Sequence, residues 1–329
     1  MLSFQSAVNV EKPSFLTLSS DRRFLFAVNE IETDKRTSGG RVTAFAIDPA
    51  TGSLSYLNSQ PTHGAGPCYV SLDRANRWAL VANYTSGSAT VLPVQADGSL
   101  GEATAVVRHT GRGVDPERQE AAHVHSILLD PSGPFALAAY LRIHQIIIYP
   151  FDQTSGQLDS GTPAVITAAP GAGPRHLAFH PNSRFLYAVN ELNSTLSVYE
   201  FDAEQGTRRA VQTLSTLPDD FHGTNWAADL HLAPEGKTLY VSNRGHDSIV
   251  VFAVDASSGH VSPVEVVSTL GHFPRNFALD STGSYLFAAN QHSGTVVTFR
   301  VDATSGCITP TGQVLSIPSP MCIHVISSD

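Results

Sequence analysis

The chain has 329 residues, 15% of them charged and 42% hydrophobic, and carries a formal net charge of −9. That balance supplies a large buried core and excludes the broad basic face that nucleic-acid binding needs. The three cysteines, Cys68, Cys307 and Cys322, are too few and too odd in number for a disulfide framework. They fit a reducing compartment. No charged-then-apolar leader opens the sequence, and no apolar run approaches the ~18 residues of a membrane span. The expectation is a cytoplasmic protein with no membrane and no nucleic-acid partner.

The first stretch, LSFQSAVNV (Leu2 to Val10), resembles LSYLNSQ (Leu54 to Gln60) and reads as an isolated fourth strand. A pattern then begins and recurs: proline or a substitute, an alternating apolar run, a polar turn, a second apolar run, then Asn. It starts at Pro13, Pro67, Val124, Pro174, Ala227 and Pro274. Its Asn position falls at Asn29, Asn83, Tyr140, Asn190, Asn243 and Asn290, at intervals of 54, 57, 50, 53 and 47 residues. A period near 50 belongs to propeller blades, not to helical solenoids of about 33–34 residues. Each unit holds four strand-like runs. The middle turns are rich in Asp, Pro, Asn and Gly, as hairpins require. Asp-x-x-x-Gly turns follow the third strands at Asp48 to Gly52, Asp152 to Gly156 and Asp302 to Gly306. PMCIHVISSD, from Pro320, reads as an isolated first strand.

The predicted fold is therefore all-β: a seven-bladed propeller forming one domain over residues 1–329. It has six complete four-stranded blades and a partial seventh made from both chain ends. Either about 30–40 N-terminal residues are missing, judged from the repeat period, or the closing blade is a shortened two-strand one.

Radial repetition brings equivalent positions of the blades around one axis. The position after the repeat's proline holds Ser14, Cys68, His125, Arg175, Ala228, Arg275 and Met321. The position after its Asn holds Glu30, Tyr84, Leu141, Glu191, Arg244 and Gln291. Arg, Glu and His on such a rim are costly to bury unpaired. A pocket for a small anion would explain them, because a guanidinium forks onto phosphate or carboxylate. Ion pairs that merely organise a wet channel would explain them equally well.

Other motifs say less. His123 and His125 form an H-x-H pair, which on a strand would face one side. Spacing supplies no third ligand, so no metal and no cofactor are expected. GAGPRH (Gly171 to His176) precedes a strand, where a dinucleotide fingerprint would follow one; it reads as a turn. No G-x-S-x-G elbow for a serine nucleophile is present. The polar stretch from Asp115 to Glu120 reads as a long loop, a lid or a plain surface loop.

GAGPRHLAFHPNSRFLYAVNELNSTLSVYEFD (Gly171 to Asp202) strongly resembles the signature blade of the propeller lactonases. That family includes bacterial 6-phosphogluconolactonases and fungal carboxymuconate-lactonizing enzymes. AADLHLAPEGKTLYVSNRGHDSIVVFAVD (Ala227 to Asp255) and PRNFALDSTGSYLFAANQ (Pro274 to Gln291) look like its next two blades. The resemblance implies a seven-bladed fold and hydrolysis of 6-phosphogluconolactone in the pentose phosphate pathway. It also implies a site built on His125, Arg175 and Glu191, with Arg244 as the arginine of the later blades. In the hydrolytic reading, Glu191 or His125 activates water and Arg175 stabilises the oxyanion. Arg244 and Arg275 hold a phosphate, and His176, Asn190 and His123 orient the set. The expected partner is a small anionic lactone, and the expected state a monomer or weak homodimer. Two other readings share the fold: a cycloisomerase of carboxy-cis,cis-muconate, and a non-catalytic binding propeller.

Overall fold

The computed structural model describes residues 5–32, 39–111, 122–204 and 207–326. These residues form twenty-five β-strands and no α-helix. The strands make six antiparallel sheets. In five of them the four strands lie side by side in chain order, so each hairpin partner is also the next strand in sequence. In the third blade the outer position is shared by two short strands, Gln157–Leu158 and Ala164–Thr167, which pair with different parts of the third strand, Gln145–Asp152. The described residues fall into two compact units, 5–174 and 175–326, each holding three blades.

Side-chain pattern explains the order within a blade. The second strands, such as Trp78–Asn83 (WALVAN) and Phe185–Asn190 (FLYAVN), are buried at every position. They therefore read as continuous apolar runs, as doubly covered strands do. The fourth strands Val261–Ser268 and Ile308–Ser316 are mostly exposed. Within each unit the core lies between adjacent blades. One cluster joins Phe185, Tyr187 and Val198 of the fourth blade to Leu230, Val241 and Phe252 of the fifth.

The Asp-x-x-x-Gly turns, that of Gly52 excepted, link blades as well as strands. The aspartate caps its own turn, as Asp48 Oδ1 does by accepting from the amides of Ala50 and Thr51. The glycine then lies against the start of the preceding blade's second strand. A Cβ on Gly156 would meet the Trp78 ring at 2.3 Å, and one on Gly259 would meet Phe185 at 2.4 Å. Both glycines also hold φ near +70°, where a side chain is strained.

The segments read as parts of a seventh blade are only partly described. Among the described residues, Gln5–Val10 and Met321–Ile326 join no ladder. An extended run becomes a strand only beside a partner that takes its hydrogen bonds. The C-terminal segment is nonetheless held: the Ile323 amide donates to Asn276 Oδ1 at 2.7 Å. The stretch from Asp115 to Glu120 lies outside the described residues.

One irregularity positions the functional side chains. In five blades the register shifts at the start of the first strand. Pro67 pairs with Asn83 and Tyr69 with Ala82, which leaves Cys68 without a partner position. His125 is skipped in the same way between Val124 and Ser126, and Arg275 between Pro274 and Asn276. Such bulges bend the strand and re-aim the extra side chain. In these five blades the position singled out after the repeat's proline or its substitute thus lies in the bulge.

Candidate active site

In the C-terminal unit, Arg175 opens the fourth blade's first strand, Glu191 follows that blade's second strand, and Arg244 ends the fifth blade's second strand. All three are buried. Arg175 Nε donates to Glu191 Oε2 at 3.0 Å, and Arg244 Nη2 donates to the same oxygen at 2.7 Å. Arg175 Nη1 donates to the Ala228 carbonyl. Its Nη2 has no acceptor among the described residues and is not sealed from solvent. One donor of an otherwise tied guanidinium is therefore open. Burial, and then the guanidiniums of Arg244 and Arg275, pull the Arg175 pKa down to about 9, against the opposing carboxylates of Glu191 and Asp229. It remains a cation at neutral pH.

Arg244 is held by more than Glu191. Its Nε donates to the Trp226 carbonyl at 3.2 Å, and its guanidinium lies 5.1 Å from the centre of the Phe273 ring. The next residue must be glycine. Gly245 has φ of +121°, and a Cβ there would lie 2.2 Å from the Thr224 carbonyl oxygen.

Arg275 differs from the other two. It is half-buried and makes no hydrogen bond or ion pair among the described residues. Two guanidiniums thus share the Glu191 carboxylate, and the charge of a third, Arg275, acts on Arg175. The other acid of the cluster, Asp229, is engaged elsewhere: His176 Nδ1 lies 2.7 Å from its Oδ1, and His231 Nε2 lies 3.0 Å from its Oδ2. Asn276 Nδ2 also donates to Oδ2. Burial alone would raise the Asp229 pKa. The His231 cation and the hydrogen bonds of both histidines override it and hold the carboxyl well below its usual range. His176 is pushed down to about 4 by burial and by Arg175, so its ring is neutral.

Asn190 belongs to the blade rather than to the cluster. Its Nδ2 donates to Thr195 and Ser197 within the same sheet. Asn83 makes the corresponding bonds in its own blade, to Ser88 and Thr90, and Asn290 donates to Thr295 in its own blade and to the Thr269 carbonyl just after the preceding one. The repeat's Asn is a structural pin between strands.

The N-terminal unit holds a second polar group, formed by Tyr84, His123, His125, Arg142 and Cys68. His125 is buried, its Nδ1 3.9 Å from Cys68 Sγ and its ring edge-on to Tyr84 at 5.6 Å. His123 Nδ1 donates to the Tyr84 carbonyl at 2.8 Å, and burial lowers its pKa. The alternation argument for His123 and His125 fails here. His123 lies before the strand with φ of +43°, and His125 sits on the bulge. Both rings still reach Tyr84. Among the described residues no three His, Cys, Asp or Glu side chains form a metal-binding group, and none of the three cysteines is in a disulfide.

Sequence reasoning missed Asp229, His231, Asn276 and Arg142. Asp229 carried a weak signal: it follows the ring position Ala228, and the fifth blade's bulge runs from Ala227 to Leu230.

Comparison with known proteins gives one consistent picture. A family model described as "Lactonase, 7-bladed beta-propeller" matches residues 2–325. A 6-phosphogluconolactonase of Bacillus subtilis is 37% identical over 318 residues, covering 96% of this chain and 88% of that protein. A 6-phosphogluconolactonase of Klebsiella pneumoniae is 36% identical over 243 residues, covering 74% of this chain and 69% of that protein. The solved structure of a periplasmic gluconolactonase of Pseudomonas aeruginosa matches with a TM-score of 0.90 and 37% identity, covering 96% and 88% of the two chains.

Proposed function

The chain belongs to the seven-bladed β-propeller lactonase family, and from that premise we propose that it is a 6-phosphogluconolactonase, opening 6-phospho-D-glucono-1,5-lactone to 6-phosphogluconate in the pentose phosphate pathway. The observation that carries the reading is the charge balance of the C-terminal cluster. Arg175 and Arg244 share Glu191, one guanidinium donor of Arg175 is open, and Arg275, whose charge acts on Arg175, has no partner among the described residues. A substrate with a dianionic phosphate and a carbonyl that becomes an oxyanion supplies the missing negative charge at both places.

In this reading, water adds to the lactone carbonyl carbon. The carbonyl oxygen takes up the electron pair, and Arg175 Nη2 donates to it as charge develops. The intermediate collapses with cleavage of the bond to the ring oxygen, which leaves as the C5 hydroxyl after taking a proton. Glu191 Oε2 is occupied by two guanidiniums, so Glu191 organises the arginines, and Glu191 or His125 is the proposed base that takes the proton from water. Arg244 and Arg275 hold the phosphate, and His176 steadies Arg175. His123, bonded to the Tyr84 carbonyl, steadies Tyr84 beside His125. The reading takes residues 1–329 as one propeller domain, supported by a family model that runs across nearly the whole chain. A cytoplasmic protein is expected, which cell fractionation would test, and a monomer or weak dimer is expected on sizing.

Steady-state hydrolysis by Arg175→Ala and Glu191→Gln tests the assignment. Removing one transition-state donor costs roughly 10²–10³ in rate, and both folded variants are expected to lose at least that order in kcat/KM. Unchanged kcat/KM in both would remove the site.

A further inference from the structure

Asp229 is the point on which three blades converge. Five donors reach its carboxylate: His176 Nδ1 from the fourth blade, the Leu230 amide and His231 Nε2 from its own, and Asn276 Nδ2 and the Phe277 amide from the sixth. Its own amide donates to Ser242 Oγ. Asn276 in turn accepts from the Ile323 amide. An ionised carboxylate, which only accepts, suits this environment; an amide, which donates as well, does not.

The contact between His176 and Arg175 shows what the convergence achieves. Arg175 Nη1 lies 3.2 Å from His176 Nε2 and 3.4 Å from Nδ1. Near-equal distances to both ring nitrogens put the guanidinium over the imidazole face, not along a lone pair. The Asp229 bond at 2.7 Å fixes the plane of that ring and places its proton on Nδ1. The fixed face leaves Arg175 one direction in which to aim its free nitrogen.

We propose that Asp229 is a positioning residue for the lactone-opening reaction: through the face of His176 it sets the direction of Arg175 Nη2 toward the developing oxyanion. This rests on the site reading above. The effect belongs to the transition state, where a misaim of about 1 Å costs on the order of 10²-fold. Substrate capture, through Arg244 and Arg275, is untouched.

The experiment compares wild type, Asp229→Asn, Arg175→Ala and their double variant in lactone hydrolysis, with thermal melts of each. A long-range 15N–1H spectrum reads the His176 tautomer. The expected result is a fall of about 100-fold in kcat for Asp229→Asn, with KM close to wild type. The double variant should be no slower than Arg175→Ala alone, and wild-type His176 should carry its proton on Nδ1. If Asp229→Asn does not fold, His176→Gln keeps a donor for Asp229 while removing the ring face, and the same kcat loss is expected. A near wild-type kcat in a folded Asp229→Asn or His176→Gln overturns the proposal. So do additive losses in the double variant, or a proton on Nε2. Full activity of Arg175→Ala would instead overturn the site reading itself.

Discussion

In the proposed reading, Arg275 separates phosphate recognition from catalysis at the level of one residue. Its guanidinium is the cation of the cluster with no protein partner among the described residues, while Arg175 and Arg244 share Glu191. Arg275→Gln is therefore expected to raise KM for the phosphorylated lactone about tenfold or more, the worth of one charge-assisted contact. Kinetics with unphosphorylated gluconolactone should be unchanged; an equal loss on both substrates would contradict the assignment. The buried histidines predict a second property. Burial, joined at His176 by Arg175, lowers the pKa of His176, and burial lowers those of His109, His123 and His144. An unfolded histidine takes its proton near pH 6.5. Between that value and the lower folded values the unfolded chain binds more protons, so stability is lost as pH falls. His231 has the opposite sign: burial works against its charge, but Asp229 overrides burial and raises it. Its contribution is present at low pH and is lost as pH rises through the folded value. With four groups against one, Tm should drop on going from about pH 7 to about pH 5, and less steeply in His176→Gln. A flat profile would contradict this. Arg175, Glu191 and Arg244 were legible in the sequence because the residues after the repeat's Pro and Asn recur at countable positions. Asp229 was not, because the fifth blade's bulge is longer than a one-residue pattern shows.

At the scale of the element, the repeat was legible because its chemistry is local. Alternation, turn residues and the Asn pin each act within a few residues, and the Asp-x-x-x-Gly turns appear where they were read. What pattern could not reach was the second role of those glycines, since their neighbours lie in another blade. Gly259→Ala should destabilise the fold by about 1–3 kcal/mol, from overpacking against Phe185 and a strained φ. Urea denaturation would measure this, and a neutral substitution would show that the blades do not lock through this glycine. The chain ends were read as strands from likeness to Leu54 to Gln60 and from their place in the repeat. That pattern records the potential to pair, whereas a strand also needs a neighbour.

At the scale of the whole molecule, the family match and the curated relatives agree with the fold and the reaction that the repeat and its motifs pointed to. The relatives also show where the open question lies. The 6-phosphogluconolactonase of Bacillus subtilis and the solved gluconolactonase of Pseudomonas aeruginosa stand at the same 37% identity to this chain, so likeness alone does not choose between phosphorylated and unphosphorylated substrates. The three arginines gathered in a chain of net charge −9 favour the phosphorylated one, because local charge and not the total sets what a site attracts. The direct measurement is the initial rate of proton release from 6-phospho-D-glucono-1,5-lactone by the purified chain, read against spontaneous hydrolysis and against gluconolactone at equal concentration. Enzymatic turnover well above the spontaneous rate, with a higher kcat/KM for the phosphorylated lactone, is the predicted result. A rate no faster than spontaneous opening, or equal kcat/KM for both lactones, would contradict it.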